Sequence, residues 1–448
     1  MADRDIDAAD GRGGLLGLAL LSPFVGAGAG LVGALFLLAL KRADDGRNAL
    51  IAWAHGAHLA GFALVVSIIA AAAALAAGLV RRFSPAASGS GIPQIEAALH
   101  GELRQAPFRL IPIKFVGGLL AIGAGLALGR EGPSVQMGGS FGHLVGRAFR
   151  RSWPDCRVLL AAGAGAGLAT AFNAPIAGAI FVLEELVQQF EPRIAIAALG
   201  ASATAISVSR ILLGDRPDFH VDALAYASGL TRPLYFVLGA VAGFLAILYN
   251  RTLLATIAAA DRLERWPVEV RAAAVGAAVG AVGWVLPGMI GGGDLITQRT
   301  LAGTEALTLV PLAFLLRFVL GNVSYAARTP GGLFAPLLVL GAQLGLLFGV
   351  LCRLAFPALD IQPEGFAIVG MTALLTGVVR APLTAIVLVV EMTDSVRMLL
   401  PMLGACFMAM LVPTLLGDPP LYESLRANIL KRARVEQSSA PVQSAPTE

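Results

Sequence analysis

Charged residues are scarce in this chain. Asp, Glu, Lys and Arg make up 14% of its 448 residues, whereas about 25% is usual for a soluble globular protein. Apolar residues make up 57%, and the mean hydropathy is +0.77. These values exclude an ordinary soluble enzyme. They also exclude a disordered chain, because disorder requires low hydrophobicity.

Cysteine and histidine are also few. The chain has three cysteines and five histidines; an odd cysteine count argues against a disulfide framework, and the histidines show no metal-ligand spacing. No metal or cofactor is therefore expected. The first 13 residues carry four aspartates and lack the basic start of a signal peptide, so we predict a polar tail over 1–13.

The chain consists largely of long, continuous apolar runs. A membrane-spanning helix needs about 20 apolar residues, and a β-barrel would instead show short alternating segments. The pattern predicts an all-α polytopic membrane protein with its membrane domain over 14–430 and a polar, disordered tail over 431–448. The apolar stretches are 14–40, 50–80, 108–128, 158–183, 194–213, 233–260, 268–290, 307–326, 332–356, 366–390 and 397–416.

The charges that are present cluster in loops. The net charge is +4, which basic loops explain without a nucleic-acid partner. Because cytoplasmic loops of membrane proteins are enriched in Lys and Arg, these clusters predict cytoplasmic ends and place both termini in the cytoplasm. The clusters are Arg81 and Arg82; Arg147, Arg150, Arg151 and Arg157; and Lys431, Arg432 and Arg434.

The chain contains an internal repeat. The block from Gly129 matches the block from Gly332 at an offset of 332 − 129 = 203, and the block from Gly163 matches that from Gly370 at 370 − 163 = 207. These matches predict two repeats over about 14–215 and 233–416. Duplication with broken helices is typical of secondary transporters, whose binding site lies between the repeats. Sequence alone does not decide whether the repeats are parallel or inverted.

Five short segments share one design, in which Gly or a small polar residue precedes Pro and an apolar run follows. Pro favours the first turn of a helix, and a helix start presents free N–H groups with partial positive charge. Several such starts converging would bind an anion; the alternative is a set of packed Pro kinks. The segments begin at Ser90, Gly129, Asn173, Gly332 and Arg380.

Some side chains in or near these segments are candidates for chemistry. Ser90 can donate a hydroxyl hydrogen bond to the ion or cap a helix, and Tyr422 can donate its phenol or belong to an interfacial aromatic belt. Glu131 lies where an anion would bind, so the ionised carboxylate can act as a tethered anion. The alternative for Glu131 is an ion pair with Arg130, although adjacent helical side chains do not face each other.

Other acids and bases border the apolar runs. Glu184 and Glu185 end one such run, and ionisable groups at membrane depth are functional candidates, although either could simply mark the water interface. Lys114, Arg317 and Glu391 are predicted to form structural ion pairs rather than to take part in transport.

Taken together, the motifs resemble those of the CLC family of chloride channels and proton/chloride exchangers, in the same order and spacing. A late tyrosine, Tyr422 in PPLYESL, completes the pattern. The resemblance implies two inverted repeats of tilted, broken helices in a homodimer with one pore per subunit. It also implies a bacterial-type member, and hence the inner membrane. The selectivity-filter motifs are Gly89, Ser90, Gly91, Ile92 and Pro93; Gly129, Arg130, Glu131, Gly132 and Pro133; and Gly332, Leu333, Phe334, Ala335 and Pro336.

The resemblance also assigns residue roles. Chloride would be held by the hydroxyls of Ser90 and Tyr422 and by the backbone amides of Leu333 and Phe334. Leu333 replaces a commoner Ile, which a backbone donor tolerates. A second anion position, filled or vacated by the gating carboxylate, would lie at the amides near Arg130 and Gly132.

Two acids would carry the proton. Glu131 matches the family's gating glutamate, and Glu185 matches the intracellular proton-relay glutamate of the exchangers. Glu184 aligns with Glu391 across the repeats, whereas Glu185 aligns with Met392. Glu185 is therefore an acid present in one repeat only.

These observations predict a proton-coupled chloride antiporter in the lipid bilayer, with chloride and protons as its only ligands. The alternative is a passive voltage- or pH-gated chloride channel of the same fold. A remote alternative is an intramembrane protease with Ser90 as nucleophile and His100 or His143 as base, which would require the pair to lie within reach of each other.

Overall fold

The computed structural model describes residues 2–103, 105–215, 217–221 and 229–439, and within these ranges the chain is helical with no β-strand. The short gaps between helices are turns and loops. The helices are α1 (Ala2–Ala54), α2 (His58–Phe83), α3 (Ile92–Leu99), α4 (Leu110–Gly123), α5 (Glu131–Ala148), α6 (Trp153–Phe172), α7 (Pro175–Phe181), α8 (Pro192–Leu213), α9 (Arg232–Asp261), α10 (Val268–Val285), α11 (Asp294–Leu301), α12 (Val310–Ala326), α13 (Phe334–Ala355), α14 (Pro363–Val379), α15 (Pro382–Thr393), α16 (Leu399–Leu415) and α17 (Leu421–Ser439).

Every predicted apolar stretch coincides with helical structure. Two of them are broken in the middle, between α6 and α7 and between α14 and α15, because Pro175 and Pro382 cannot continue a helix that precedes them. The residues at these breaks, Asn173 and Arg380, adopt left-handed backbone conformations with φ of 50° and 74°. Hydropathy did not single out α3, α5, α11 and α17, which are short, polar or rich in glycine.

The helices form a multi-pass membrane protein. Within the described residues, seven apolar segments are long enough to span a bilayer, and the first of them, Gly14–Phe83, covers most of α1 and all of α2. Large apolar side chains such as Leu248 and Leu312 lie exposed on the outer helices, as suits a lipid-facing surface and not a water-facing one. In contrast, α6 is almost completely enclosed by other helices, and the larger part of α13 is enclosed as well.

The predicted tails differ from expectation. The backbone of α1 begins at Ala2, so the predicted N-terminal tail continues the first long helix. The helix α17 continues to Ser439, so the prediction of a disordered C-terminal tail is wrong for residues 431–439. Residues 440–448 lie outside the described part of the chain.

Glu391 near the end of α15 shows how the two repeats contact each other. Its carboxylate accepts hydrogen bonds from the backbone amides of Ile176 and Ala177, at 3.1 and 2.8 Å. These amides belong to the first turn of α7, whose positive end favours an anion. The prediction that Glu391 forms an ion pair is therefore wrong, because its partner is a helix start.

Glu184 makes the reciprocal contact. Its carboxylate accepts hydrogen bonds from the amides of Leu383 and Thr384, at 2.9 and 2.6 Å, and from the Thr384 hydroxyl at 2.7 Å. These groups lie in the first turn of α15. Each repeat therefore caps a broken helix of the other, which confirms that Glu184 and Glu391 are equivalent and belong to the duplicated scaffold.

Lys114 and Arg317 are buried cations that bind backbone carbonyls. Lys114 Nζ donates to the carbonyls of Ala87 and Gly89, at 3.0 and 2.7 Å. The guanidinium of Arg317 donates to the backbone carbonyls of Met289, Gly291 and Gly292, at 3.1, 2.7 and 3.1 Å. The ion pairs predicted for these residues are wrong. Turns at membrane depth leave carbonyls that water cannot reach, so an internal donor must satisfy them.

Candidate anion-binding site

The five predicted helix starts are all confirmed: α3, α5, α7, α13 and α15 begin within or directly after the predicted segments. They do not all serve one site. The starts of α7 and α15 are already occupied by Glu391 and Glu184. The starts of α3, α5 and α13 meet near one point, and these three form the candidate site.

Backbone hydrogen bonds between the repeats hold two of the three starts together. The amide of Gly129 donates to the carbonyl of Gly332 at 2.8 Å, and the amide of Gly332 donates back to the carbonyl of Gly129 at 2.7 Å. Beside them, a Cβ on Gly132 would lie 2.8 Å from the Ser90 hydroxyl oxygen. Only glycine allows this approach, which brings the start of α5 against the segment that precedes α3.

The side chain of Glu131 points to the place where the starts of α3, α5 and α13 converge. Its carboxylate is fully buried, and Oε1 accepts a hydrogen bond from the amide of Phe334 at 2.7 Å. A methyl group on either Gly129 or Gly332 would overlap with the carboxylate. The carboxylate of one repeat therefore occupies the helix start of the other, in the place of an anion.

The side chain of Arg130 points away from Glu131. Its guanidinium donates to Asp218 at 2.7 Å and to Asp294 at 2.8 Å, and its Nε donates to the carbonyl of Ala171 at 2.8 Å. The Arg130–Glu131 ion pair considered as an alternative is therefore wrong. Because the cation is bound elsewhere, it does not fix the carboxylate in place.

Ser90 and Tyr422 bring two hydroxyls to the site. Their side chains are 1% and 0% exposed, and within the described ranges neither hydroxyl has a protein partner at hydrogen-bond geometry. The residue that precedes α3 is Gly91, and no side chain caps this helix. The two alternatives, that Ser90 caps a helix and that Tyr422 belongs to an interfacial aromatic belt, are therefore wrong. Both hydroxyls are buried donors that can bind a ligand.

Aromatic rings close the site on one side. The ring of Phe334 lies against that of Tyr422 with centroids 6.1 Å apart and an interplanar angle of 21°. Phe172 and Phe181 pack against Phe334 with centroid distances of 6.4 and 5.9 Å. Leu333, which precedes α13, is also fully buried. These apolar walls exclude water, which strengthens the interaction of a bound anion with the nearby donors.

Glu185 lies apart from this cluster, after α7. It belongs to a π-helical turn over Val182–Leu186 and is 6% exposed. Such turns are rare and frequently mark functional sites. Glu96, Glu423 and Arg426 are among the charged groups that interact with it, so the start of α17 and the end of α3 adjoin this acid.

Sequence reasoning missed an ion pair beside Glu185. Glu96, which is 2% exposed, binds Arg426 with 2.7 Å between Oε1 and Nη1. This contact joins α3, which follows Ser90, to α17, which begins beside Tyr422. The available signal was a carboxylate in the mostly apolar run IPQIEAAL, which predicts a buried partner.

A cavity of about 1070 Å³ leads to the site from the Glu131 side. Its lining includes Gly129, Arg130 and Ala335 from the helix starts, together with Asp218 and Asp294. An ion that enters this cavity therefore meets charges of both signs before it reaches the carboxylate of Glu131.

The histidines do not support a protease. His100 Nδ1 bonds the carbonyl of Glu96 at 2.9 Å, and the ring of His143 packs edge-on against Trp153 with centroids 6.0 Å apart. Neither contact is with Ser90, so the structure does not bring together the pair that a nucleophilic mechanism requires.

The fold and the site define a multi-pass membrane protein with a candidate anion-binding centre between two repeats. The chain belongs to the voltage gated chloride channel family, whose model matches residues 72–414. This confirms the predicted family and fold class, with its inverted repeats of broken helices.

Two bacterial relatives extend over nearly the whole chain. The H(+)/Cl(-) exchange transporter ClcA of Klebsiella pneumoniae (strain 342) is 38% identical over 442 residues, which are 97% of this chain and 93% of that protein. The protein of the same name from Salmonella typhimurium (strain LT2) is 38% identical over 435 residues, which are 94% of this chain and 91% of that protein.

Solved structures show the same fold. A slow cyanobacterial Cl-/H+ antiporter superposes with a TM-score of 0.88 at 32% identity, covering 92% of this chain and 98% of that one. A eukaryotic CLC transporter superposes with a TM-score of 0.78 at 26% identity, covering 93% of this chain and 74% of that one.

Proposed function

We propose that this protein is a proton-coupled chloride antiporter, a transporter and not an enzyme. The observation that carries the proposal is the hydrogen bond from the Phe334 amide to the Glu131 carboxylate. This hydrogen bond holds a titratable carboxylate at a helix start, which supports the proposal that a transported anion binds there. The relatives named as H(+)/Cl(-) exchange transporters support this function.

The chloride ligands in this proposal are the hydroxyls of Ser90 and Tyr422 and the amides of Leu333 and Phe334. Both hydroxyls are buried donors without a protein partner in the described part of the chain, and Leu333 and Phe334 form the start of α13. Helix-start amides stabilise an anion without a full positive charge, so the ion can bind and still leave.

Glu131 gates the site and carries the proton. When ionised, the carboxylate competes with chloride for the start of α13. When protonated, it loses the charge that attracts it to the helix start, and it moves away so that chloride can enter. Chloride and a proton thus exchange places at one position, which couples their movement.

Glu185 brings the proton to Glu131 from the other side of the membrane. It is the acid that lacks a counterpart in the second repeat, and it lies in a π-helical turn next to the Glu96–Arg426 ion pair. A buried acid with no duplicated structural role suits a proton-transfer step on one side only.

The protein assembles as a homodimer in the bacterial inner membrane, with both termini in the cytoplasm. Exposed apolar side chains on the capped broken helices, Ile176 on α7 and Leu383 on α15, adjoin those on α16, such as Leu403 and Phe407. These form an apolar surface suited to a second copy, and other outer faces meet lipid. The basic clusters favour the cytoplasmic placement of the termini.

The test is the reversal potential of the purified protein in liposomes under opposed chloride and proton gradients. An exchanger shifts its reversal potential with the proton gradient. A response that follows the chloride Nernst potential alone would instead indicate a passive chloride channel.

Ser90→Pro should weaken the preference for chloride over nitrate. The substitution removes the hydroxyl donor and the N–H of residue 90, while the donors of α13 and Tyr422 remain. Competition of nitrate with chloride uptake into vesicles measures the change. Unchanged competition would mean that the Ser90 hydroxyl does not bind the anion.

Tyr422→Phe should lower the affinity for chloride roughly tenfold, because a hydrogen bond to a charged group is lost while the ring stays against Phe334. Isothermal titration with chloride measures the affinity. The matched control is Tyr235→Phe, which removes a phenol that lies elsewhere, on a ring stacked against Phe366. Equal affinity in Tyr422→Phe and in the wild type would remove Tyr422 from the chloride site.

A further inference from the structure

Tyr325 is a buried tyrosine at the end of α12 and lies outside the sequence motifs. Its hydroxyl oxygen accepts a long hydrogen bond from the backbone amide of Ser90, with 3.4 Å between the two atoms. The contact crosses from the second repeat to the first. It therefore connects Tyr325 directly to a residue of the candidate anion site.

The segment around Ser90 is held firmly against Tyr325. The amide of Gly89 donates to the carbonyl of Thr329, and the amide of Gly331 donates to the carbonyl of Gly89, both at 3.1 Å. A Cβ on Gly89 would lie 3.2 Å from the Tyr325 hydroxyl oxygen. The hydroxyl thus lies against this piece of backbone, which several bonds keep in place.

We propose that Tyr325 is a positioning residue that sets anion specificity by occupying the N–H of Ser90. Ser90 carries two donors, its amide and its hydroxyl. The Tyr325 hydroxyl accepts from the amide, whereas the Ser90 hydroxyl has no protein partner within the described residues. Ser90 therefore offers one donor to the anion, not two. This inference rests on the proposed transport of anions through the site.

The number of hydrogen-bond donors that residue 90 offers affects which anion binds better. A halide is spherical and accepts a single hydrogen bond from any direction. A planar oxyanion such as nitrate has oxygens side by side, and two neighbouring donors bind it with added geometric specificity. By keeping the second donor occupied, Tyr325 favours chloride over nitrate.

The direct test is Tyr325→Phe, which removes one oxygen and keeps the ring. We expect the ratio of nitrate to chloride transport in liposomes to rise at least about threefold, as an added hydrogen-bond donor implies. A ratio equal to that of the wild type would overturn the proposal. If the variant is inactive in vesicles, isothermal titration of the solubilised protein with nitrate and with chloride decides by the same ratio of affinities.

Combining Tyr325→Phe with a second substitution at Ser90 tests whether the backbone N–H of residue 90 is the donor involved. In Ser90→Ala the hydroxyl is absent, so adding Tyr325→Phe frees the amide alone and should raise the nitrate-to-chloride ratio less than it does when Ser90 is present. In Ser90→Pro residue 90 has no N–H, so adding Tyr325→Phe should change nothing. An equal rise in both backgrounds would show that Tyr325 acts by another route and would overturn the proposal.

Tyr235→Phe serves as the control and should keep the wild-type ratio, since a merely structural effect of losing a buried phenol does not alter selectivity. A failure of the proposed function can be distinguished from a failure of this inference. If the wild type carries chloride without protons, antiport is wrong, but the effect of Tyr325→Phe on the anion ratio still tests this inference.

Discussion

Glu131→Gln should transport chloride without any dependence on protons. Glutamine keeps the size of the side chain but is always neutral, so it resembles the protonated carboxyl. It has no charge to hold it at the amide of Phe334 against a competing anion. Because this residue is also the proton carrier, its loss should abolish proton movement altogether.

The pH dependence follows from the same mechanism. In the wild type, a fall in pH protonates Glu131 and frees the site, so the chloride transport rate should rise as the pH falls. In Glu131→Gln the rate should be flat with pH. Chloride efflux and proton uptake recorded from the same liposomes over a series of pH values measure both effects.

The matched control is Glu391→Gln, because Glu391 is also a carboxylate bound to a helix start. Its amide partners belong to α7 and lie outside the anion site. This variant should keep the wild-type pH dependence and coupling. Proton-driven chloride uptake that survives in Glu131→Gln would contradict the assignment of the gate.

Glu185→Gln should stop proton movement while chloride movement continues. The cavity reaches Arg130 and Ala335, next to the gate at Glu131, from one side of the site, so we expect protons from the other side to need a separate entry. Glu185 is buried and has no counterpart in the second repeat. With a neutral amide there, the gate still opens for chloride, but no proton crosses.

Glu184→Gln separates this role from a structural one in the neighbouring residue. Glu184 accepts three hydrogen bonds at the start of α15, and the amide group can accept only part of them. We expect a loss of about 1–2 kcal/mol in stability, seen as a lower thermal unfolding temperature, with the ratio of protons to chloride preserved. Proton uptake in Glu185→Gln at the wild-type ratio would instead move the entry point to Glu184 or to a water path.

Local chemistry made much of this protein predictable. Apolar runs marked the helices because the bilayer accepts only long apolar segments whose backbone is satisfied internally. Pro and Gly marked the five helix starts, because Pro lacks the N–H that a first turn does not need. Comparison of the repeats distinguished Glu184, a shared scaffold residue, from Glu185.

The partners of the buried charges followed only from the tertiary structure. Sequence predicted ion pairs for Lys114, Arg317 and Glu391, and all three bind backbone groups. The reason is that helix breaks leave amides and carbonyls unpaired at membrane depth, and the nearest side chain that can satisfy them comes from a distant part of the chain. Hydropathy and spacing carry no information about which side chain that is.

The sequence by itself determined that this is a duplicated, all-helical membrane protein with helix starts suited to an anion. Only the tertiary structure decided that three of those starts form the site while Glu184 and Glu391 cap the other two. It also decided that Glu131 reaches across to the amide of Phe334, and that Tyr325 reaches the amide of Ser90. Each of these contacts joins one repeat to the other, and so depends on how the two halves pack, not on any local pattern of residues.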